Sequence, residues 1–145
     1  MRTKNIITIV LFSFASLLFS QKANAQISEK DVIAKKYHQL TGEELKQKII
    51  KKTVWGDYYN GRKYICYHSE NGIIESENDF GAHHQGNWII NNKNNTLTVV
   101  WDYGWDNWTG RAYDVNGEIV FFDSTTSKWR TTLKIFKDGK QKIEY

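Results

Sequence analysis

Residues 128–136, Lys-Trp-Arg-Thr-Thr-Leu-Lys-Ile-Phe, contain the clearest alternation in the chain. The two alternating sets are Trp129, Thr131, Leu133 and Ile135 on one side and Lys128, Arg130, Thr132 and Lys134 on the other. Because successive side chains of a β-strand point to opposite faces, the pattern predicts a strand with one face toward a core.

Similar short strands follow one another from residue 53 onward. We predict strands at residues 53–59, 62–68, 73–74, 85–90, 96–103, 108–114, 118–123, 128–136 and 140–145, and an irregular polar stretch at 75–84. Four residue pairs typical of tight hairpin turns separate several of them: Asn60-Gly61, Asn71-Gly72, Asn116-Gly117 and Asp138-Gly139. Short strands joined by local turns are typical of antiparallel barrels and sandwiches. We expect an all-β fold, a single up-and-down barrel of about eight strands.

The N-terminus has the features of a secretory signal. Arg2 and Lys4 precede an apolar run at residues 6–19, and Ala23-Asn24-Ala25 matches the small-x-small cleavage pattern. The run is short for a membrane span. We therefore predict a cleaved signal peptide at residues 1–25, export to the periplasm or the medium, and no stable membrane anchor after cleavage.

Residues 26–52 are predicted to be a helical lead-in to a barrel domain at residues 53–145. Ser28 with Asp31, and Thr41 with Glu44, have the spacing of helix-capping pairs. Leu45 and Ile49 share one face of the second helix. Such a helix cannot bury its apolar side alone, so it should lie against the sheet or close one end of a barrel.

Charge and cysteine content narrow the function classes. The chain has 20 basic and 16 acidic residues, and without the predicted signal 17 basic and 16 acidic residues remain. The aromatic-rich half is acidic, so we expect no nucleic-acid partner.

Cys66 is the only cysteine, which excludes an intramolecular disulfide. His68 lies on the same strand face as Cys66. We nevertheless interpret Cys66 as a small buried thiol and not as a nucleophile.

The segment from residue 101 to 108 is the strongest candidate for a binding site. It supplies the predicted ligand-binding residues Trp101, Asp102, Tyr103, Trp105, Asp106 and Trp108. Aromatic faces stack on apolar ligands or sugars, carboxylates accept from hydroxyls, and Trp and Tyr also anchor protein interfaces. In the alternative interpretation Trp101 and Tyr103 are core residues that continue the face of Leu97 and Val99. Because Gly104 interrupts the strand, Trp105 and Trp108 are expected to be exposed.

A second polar segment gathers side chains that bind metals elsewhere: Glu75, Glu77, Asp79, His83 and His84. Adjacent His83 and His84 would point to opposite faces of an extended chain. No spacing typical of zinc sites is present, nor any hydrolase or phosphate-loop motif. We expect no metal, no cofactor and no assigned catalytic residue.

The order of several motifs resembles a family of small, uncharacterised, exported bacterial proteins with a lipocalin-like domain. The motifs are residues 40–45 (Leu-Thr-Gly-Glu-Glu-Leu), 53–56 (Thr-Val-Trp-Gly), 64–67, Asn71-Gly72 and Gly86-Asn87-Trp88. The resemblance covers about residues 40–137. It implies a small β-barrel and export, and brings no established activity.

Three functions remain open. The leading hypothesis is an exported, non-enzymatic binding protein of the bacterial cell envelope, with a small amphipathic or saccharide ligand at the segment 101–108. The first alternative is an inhibitor or immunity-type protein that binds another exported protein with the same face. The second is a hydrolase of envelope polymers that uses Asp102 or Asp106 as acid or base.

Overall fold

The computed structural model describes residues 26–144, so the predicted signal peptide lies outside the described residues. Two short helices, α1 (Glu29–Ala34) and α2 (Gly42–Ile49), flank a two-residue strand, β1 (His38–Gln39). Eight longer strands follow: β2 (Lys52–Tyr58), β3 (Lys63–His68), β4 (Ile73–Asn78), β5 (His83–Asn91), β6 (Thr96–Trp101), β7 (Trp108–Val115), β8 (Glu118–Asp123) and β9 (Trp129–Asp138). A 3-10 turn, η1 (Asp102–Gly104), lies between β6 and β7.

The eight longer strands form a closed antiparallel barrel. Each strand from β2 to β8 pairs with the next, and β9 pairs with both β8 and β2. β1 adds to β7 outside this ring. The predicted fold class, an up-and-down barrel of about eight strands, is therefore confirmed.

The helix α2 closes one end of the barrel, which we call the closed end. Both predicted capping pairs form, because the side chains of Ser28 and Thr41 accept from the backbone N–H three residues later. Leu45 and Ile49 of α2 are fully buried in the main core cluster together with residues from the barrel interior. The local signal for this helix and its packing side were thus visible in the sequence.

The helix α1 lies on the outside of the barrel. Val32 packs there with Val120 and Phe122 of β8. Glu29 is buried, and its carboxylate accepts hydrogen bonds from the Arg111 guanidinium at 2.8 and 2.9 Å. Those hydrogen bonds hold the pKa of Glu29 below its usual value. Within residues 26–144, no helix has the length and apolar character needed to cross a bilayer.

The strand β9 shows why a clean alternation can mislead. Its pairing skips Arg130 against β8 and Lys134 against β2, which are two β-bulges. Each bulge shifts the phase of the alternation by one residue. Only Thr131 and Leu133 of the predicted inner set line the interior. Ile135 is exposed, in contrast to the prediction.

Trp129, the remaining member of that set, also lies outside the interior. It packs with the outer cluster under α1, and its indole N–H donates to Thr132 at 2.9 Å. The alternation alone predicted that all four residues lie on one face. This was wrong for Trp129 and Ile135, because the positions of the bulges depend on the partner strands.

Two other predictions were wrong in detail. Residues 75–84 are not irregular, because β4 continues to Asn78 and β5 begins at His83. Their inward positions are polar because they line a cavity, so the usual apolar alternation is missing. Residues 140–144 do not form a strand. β9 ends opposite Lys52, the first residue of β2. The chain beyond it stays beside β2 without extending the sheet, and the backbone N–H of Gln141 donates to Thr53 Oγ1 at 2.9 Å.

Candidate functional site: the barrel interior

The barrel encloses a cavity of about 350 Å³ that extends from its centre to exposed loop residues at the end opposite α2, which we call the open end. The volume is at the lower end of the range of small-molecule sites. The lining residues are Tyr58, Asn60, Arg62, Tyr64, Cys66, His68, Ile74, Ser76, Asn78, Ala82, His84, Leu97, Val99, Trp101, Trp105, Trp108, Phe121, Thr131 and Leu133.

Two glycines allow aromatic rings to lie against the barrel wall. A Cβ on Gly56 would lie 2.9 Å from the ring of Tyr64, and a Cβ on Gly110 would lie 3.0 Å from the ring of Trp108. Both distances are shorter than normal carbon contacts. The missing side chains therefore let these rings pack along the wall instead of across the interior, which helps to keep the cavity open.

The lining divides into a polar wall and an apolar wall. The adjacent strands β3 and β4 supply Cys66, His68 and Ser76, all buried. The facing strands supply mainly apolar groups, among them Val99 of β6 and Phe121 of β8. An interior of this kind suits a molecule that has both a polar and an apolar part.

The buried thiol and imidazole of the polar wall are both uncharged. Cys66 Sγ lies 4.0 Å from His68 Nδ1. Burial lowers the pKa of His68 to about 4 and raises the pKa of the Cys66 thiol. Since a nucleophilic cysteine needs a low pKa, the site does not activate this thiol. The pair instead offers neutral hydrogen-bonding groups to the cavity.

A charged network lies beside the open end. Arg130 Nη2 donates to Asp106 Oδ1 at 2.5 Å and to the Tyr58 hydroxyl oxygen at 3.2 Å, and the Tyr58 hydroxyl donates to Asp106 Oδ2 at 2.6 Å. Burial, together with the neighbouring carboxylate, raises the pKa of Tyr58. The bulge at Arg130 aims this side chain at the open end. The network fixes the loop that carries Asp106 to β2 and β9.

An aromatic stack forms one side of the cavity opening. Trp105 stacks on Trp101 with 5.8 Å between ring centroids, and His84 lies 4.7 Å from the Trp105 ring. The loop that carries Trp105 is held by Asn107, whose side-chain oxygen accepts from the backbone N–H of Trp101 at 2.9 Å. Trp105 is 46% exposed, so it is the ring of the stack that contacts both cavity and solvent.

The structure divides the six predicted ligand-binding residues into three groups. Trp101, Trp105 and Trp108 line the cavity. Asp106 is held by Arg130 and Tyr58. Asp102 and Tyr103 are exposed and line a separate groove on the outside of the barrel. The segment is therefore not one continuous face.

The expected exposure of Trp108 was wrong, and so was the alternative interpretation that placed Tyr103 in the core. Trp108 is only 8% exposed, because β7 begins at this residue with its side chain inward and pairs with Val99. Tyr103 does not continue the inner face of β6. It has a φ of 68° and is followed by Gly104 with a φ of 64°, so the strand ends before it and its side chain is exposed. Trp105 is exposed, as predicted.

Several residues around the cavity were not predicted from the sequence to bind a ligand. They include Tyr58, Arg62, Ser76 and His84. In an up-and-down barrel, every second loop lies at the same end. Counting loops would have brought the turns after β2, β4 and β6 together. β4 itself gave no such signal, because residues 75–78 are polar at every position.

The possible metal ligands do not form a cluster. His83 Nε2 lies 3.1 Å from Glu77 Oε2 on the outer face, whereas His84 faces the cavity, which confirms that the two imidazoles point in opposite directions. Within residues 26–144, no group of three or more His, Cys, Asp or Glu side chains is arranged to hold a metal ion.

Comparison of the chain with protein-family models, with curated proteins and with solved structures finds no match.

Proposed function

We propose that the protein is an exported, non-enzymatic binding protein that holds a small amphipathic molecule inside its barrel. One observation carries the proposal: the interior is not filled by side chains, and its cavity of about 350 Å³ reaches the open end. A cavity of this volume would hold about a dozen water molecules at ~30 Å³ each. A molecule with an apolar body and a polar group fits the two walls described above.

Unpartnered donors in the cavity lining support the same proposal. Trp101 and Trp108 have buried indole N–H groups that find no hydrogen-bond partner among the described residues. A buried donor without a partner costs roughly 1–3 kcal/mol. An acceptor atom on a bound molecule would satisfy such a group, which is a reason to prefer an amphipathic ligand over a pure hydrocarbon.

Two neighbouring residues of β6 provide a matched test. Val99 faces the cavity and Val100 faces outward, so Val99→Phe adds volume inside and Val100→Phe adds the same volume outside. We expect Val99→Phe to reduce binding of a fluorescent amphiphile, anilinonaphthalene sulfonate, at least tenfold, and Val100→Phe to leave binding unchanged. Titration by fluorescence measures both. Equal binding by the two variants would place the dye outside the barrel and contradict the proposal.

A second experiment uses the natural ligand. Native mass spectrometry of the protein purified gently from its own cells should show a small-mass adduct that is lost under mild activation. The adduct should be absent from Val99→Phe and present in Val100→Phe. An adduct carried equally by both variants would count against the interior as its site.

One observation favours the inhibitor-type function as a second candidate. Four aromatic side chains at the open end are exposed: Tyr59, Phe80, Tyr103 and Trp105. Exposed aromatic residues are typical anchors of protein interfaces. If a protein partner binds there, native mass spectrometry should show a protein-sized adduct that Phe80→Ser with Tyr103→Ser removes, while dye binding in the cavity remains.

A further inference from the structure

The charge of the cavity lining points to the chemical class of the ligand. Among the nineteen residues that line the cavity, none is an aspartate or glutamate, and only Arg62 carries a permanent positive charge. The two lining imidazoles, His68 and His84, have pKa values lowered by burial, so they are neutral at pH 7. An anionic group would therefore meet one cation and no carboxylate among the lining side chains.

Arg62 is available for a ligand, in contrast to the other two arginines described above. Its guanidinium stacks on the Phe80 ring, 3.2 Å from the centroid. Arg62 forms a long ion pair with Asp79, with 4.0 Å between Nη1 and Oδ1, which is beyond hydrogen-bond distance. Arg130 and Arg111, by comparison, each donate to a carboxylate at 2.8 Å or less. Arg62 thus presents a positioned fork of N–H donors at the open end, which suits a carboxylate.

Two asparagines next to Arg62 also present donors. The side-chain oxygen of Asn60 accepts from the Arg62 backbone N–H at 3.1 Å. The side-chain oxygen of Asn78 accepts from the backbone N–H groups of Phe80 and Ala82 at 3.0 and 3.1 Å. These bonds fix both amide orientations, so each NH₂ group remains as a donor with no partner among the described residues.

We propose that the ligand is an amphiphile with an anionic head, of the carboxylate class, whose head binds Arg62, Asn60 and Asn78 at the open end. Its apolar body lies in the cavity against Leu97 and Leu133. The depth of the cavity contains no charged side chain, so a charge there would lose hydration without compensation. The head therefore stays at the open end and the body enters first. This inference rests on the proposed function and adds the charge and orientation of the ligand.

Three probes with the same ten-carbon chain test the proposal: decanoate, decanol and decylamine. Isothermal titration at pH 7.5 gives the affinities of decanoate and decylamine below their micelle concentrations and that of decanol below its solubility limit. We expect decanoate to bind at least tenfold more tightly than decanol, and decylamine to bind most weakly. Added salt should weaken decanoate binding and leave decanol binding unchanged, because only the charged pair is screened.

Variants separate a direct contact from a general effect of charge. Arg62→Gln should reduce decanoate affinity to that of decanol and leave decanol binding unchanged. Lys63→Gln removes an exposed cation from the adjacent position and should change decanoate binding less than twofold. Arg62→Lys keeps the charge but not the fork, and should give an intermediate affinity. Circular dichroism checks that each variant retains the fold.

The possible failures can be told apart. If decanol binds as tightly as decanoate, or if Arg62→Gln weakens both probes equally, the anionic head is wrong while the binding function stands. If neither decanoate nor decylamine binds at millimolar concentration and decanol does not bind up to its solubility limit, the cavity does not accept a ten-carbon amphiphile, and both this inference and the proposed function are contradicted.

Discussion

The two ends of the barrel differ in the side chains that they use. At the closed end, Leu40, Leu45 and Ile49 are almost completely buried and pack into the main core cluster. At the open end, aromatic rings with polar edges and arginines surround the cavity. Aliphatic side chains fill space from all directions, whereas flat rings that lie along a wall leave space beside them. We therefore expect stability to be concentrated at the closed end and the proposed ligand recognition at the open end.

The largest expected loss of stability is at Trp108, which would be an exception to the difference between the two ends. Trp108 belongs to the open end by position but is buried in the main core cluster, where its ring contacts Phe121 edge-on at 5.5 Å. We expect Trp108→Ala to lower the free energy of unfolding by about 4 kcal/mol, as for other buried tryptophans. Urea denaturation measures it. A loss below about 1 kcal/mol would show that this ring is not part of the core.

The next effect concerns the closed end itself. Leu45→Ala should lower the free energy of unfolding by about 3 kcal/mol, because the Leu45 side chain is almost completely buried in the main core cluster. Dye affinity, measured under conditions where the variant is folded, should change less than twofold. The exposed neighbour Glu43 provides the control, and Glu43→Ala should change the stability by less than about 0.5 kcal/mol. A variant that lost dye binding while folded would mean that the closed end also contacts the ligand.

A pH effect should come from His68, which lies in the cavity wall. Its pKa is about 4 in the folded protein and about 6.5 when unfolded. The unfolded chain therefore binds more protons between these values, and stability falls as pH falls through this window. The loss from pH 7 to pH 5 should be about 2 kcal/mol.

His68→Gln is the comparison for that pH effect. It removes the titrating group, so its stability should decline less than that of the parent between pH 7 and pH 5. Urea denaturation at both pH values measures the difference. Equal declines in the two proteins would show that His68 is not the group that makes the fold sensitive to acid.

The smallest effect on stability is expected at Trp105. It is half-exposed and lies on the loop, so Trp105→Ala should lower the free energy of unfolding by less than about 1 kcal/mol. The same change removes one side of the cavity opening and should weaken dye binding severalfold. If Trp105→Ala left dye binding unchanged and lowered the stability strongly, Trp105 would be a core residue. The proposed difference between the two ends of the barrel would then be wrong.

Local signals in the sequence predicted the helix starts and most of the strands correctly. The two capping pairs lie within four residues each, and both residues of the turn at Asn116-Gly117 have the positive φ that a two-residue hairpin turn requires. Alternation identified most strands because a half-buried strand needs it. These features depend on neighbouring residues, so one sequence is enough to find them.

The parts that were missed depend on distant residues. The bulges at Arg130 and Lys134 exist only in relation to β8 and β2, so the inner face of β9 could not be derived from β9 alone. The polar inner face of β4 resembles a loop until the cavity beside it is known. The inward turn of Trp108 follows from pairing with Val99 across η1. In each case, contacts with residues distant in sequence override the local sequence pattern.

The pairing of β2 with β9 has a consequence for how the protein folds. Lys52 and Asp138, in the first and last strands of the barrel, must meet before the barrel is closed. Contacts between residues so far apart in sequence form slowly, because the chain loses the entropy of closing a long loop before these contacts stabilise it. Until β9 is available, β2 and β8 each present an unpaired edge that could join another chain. We therefore expect a C-terminal truncation before residue 129 to aggregate rather than to form a smaller barrel, with light scattering during refolding as the measurement.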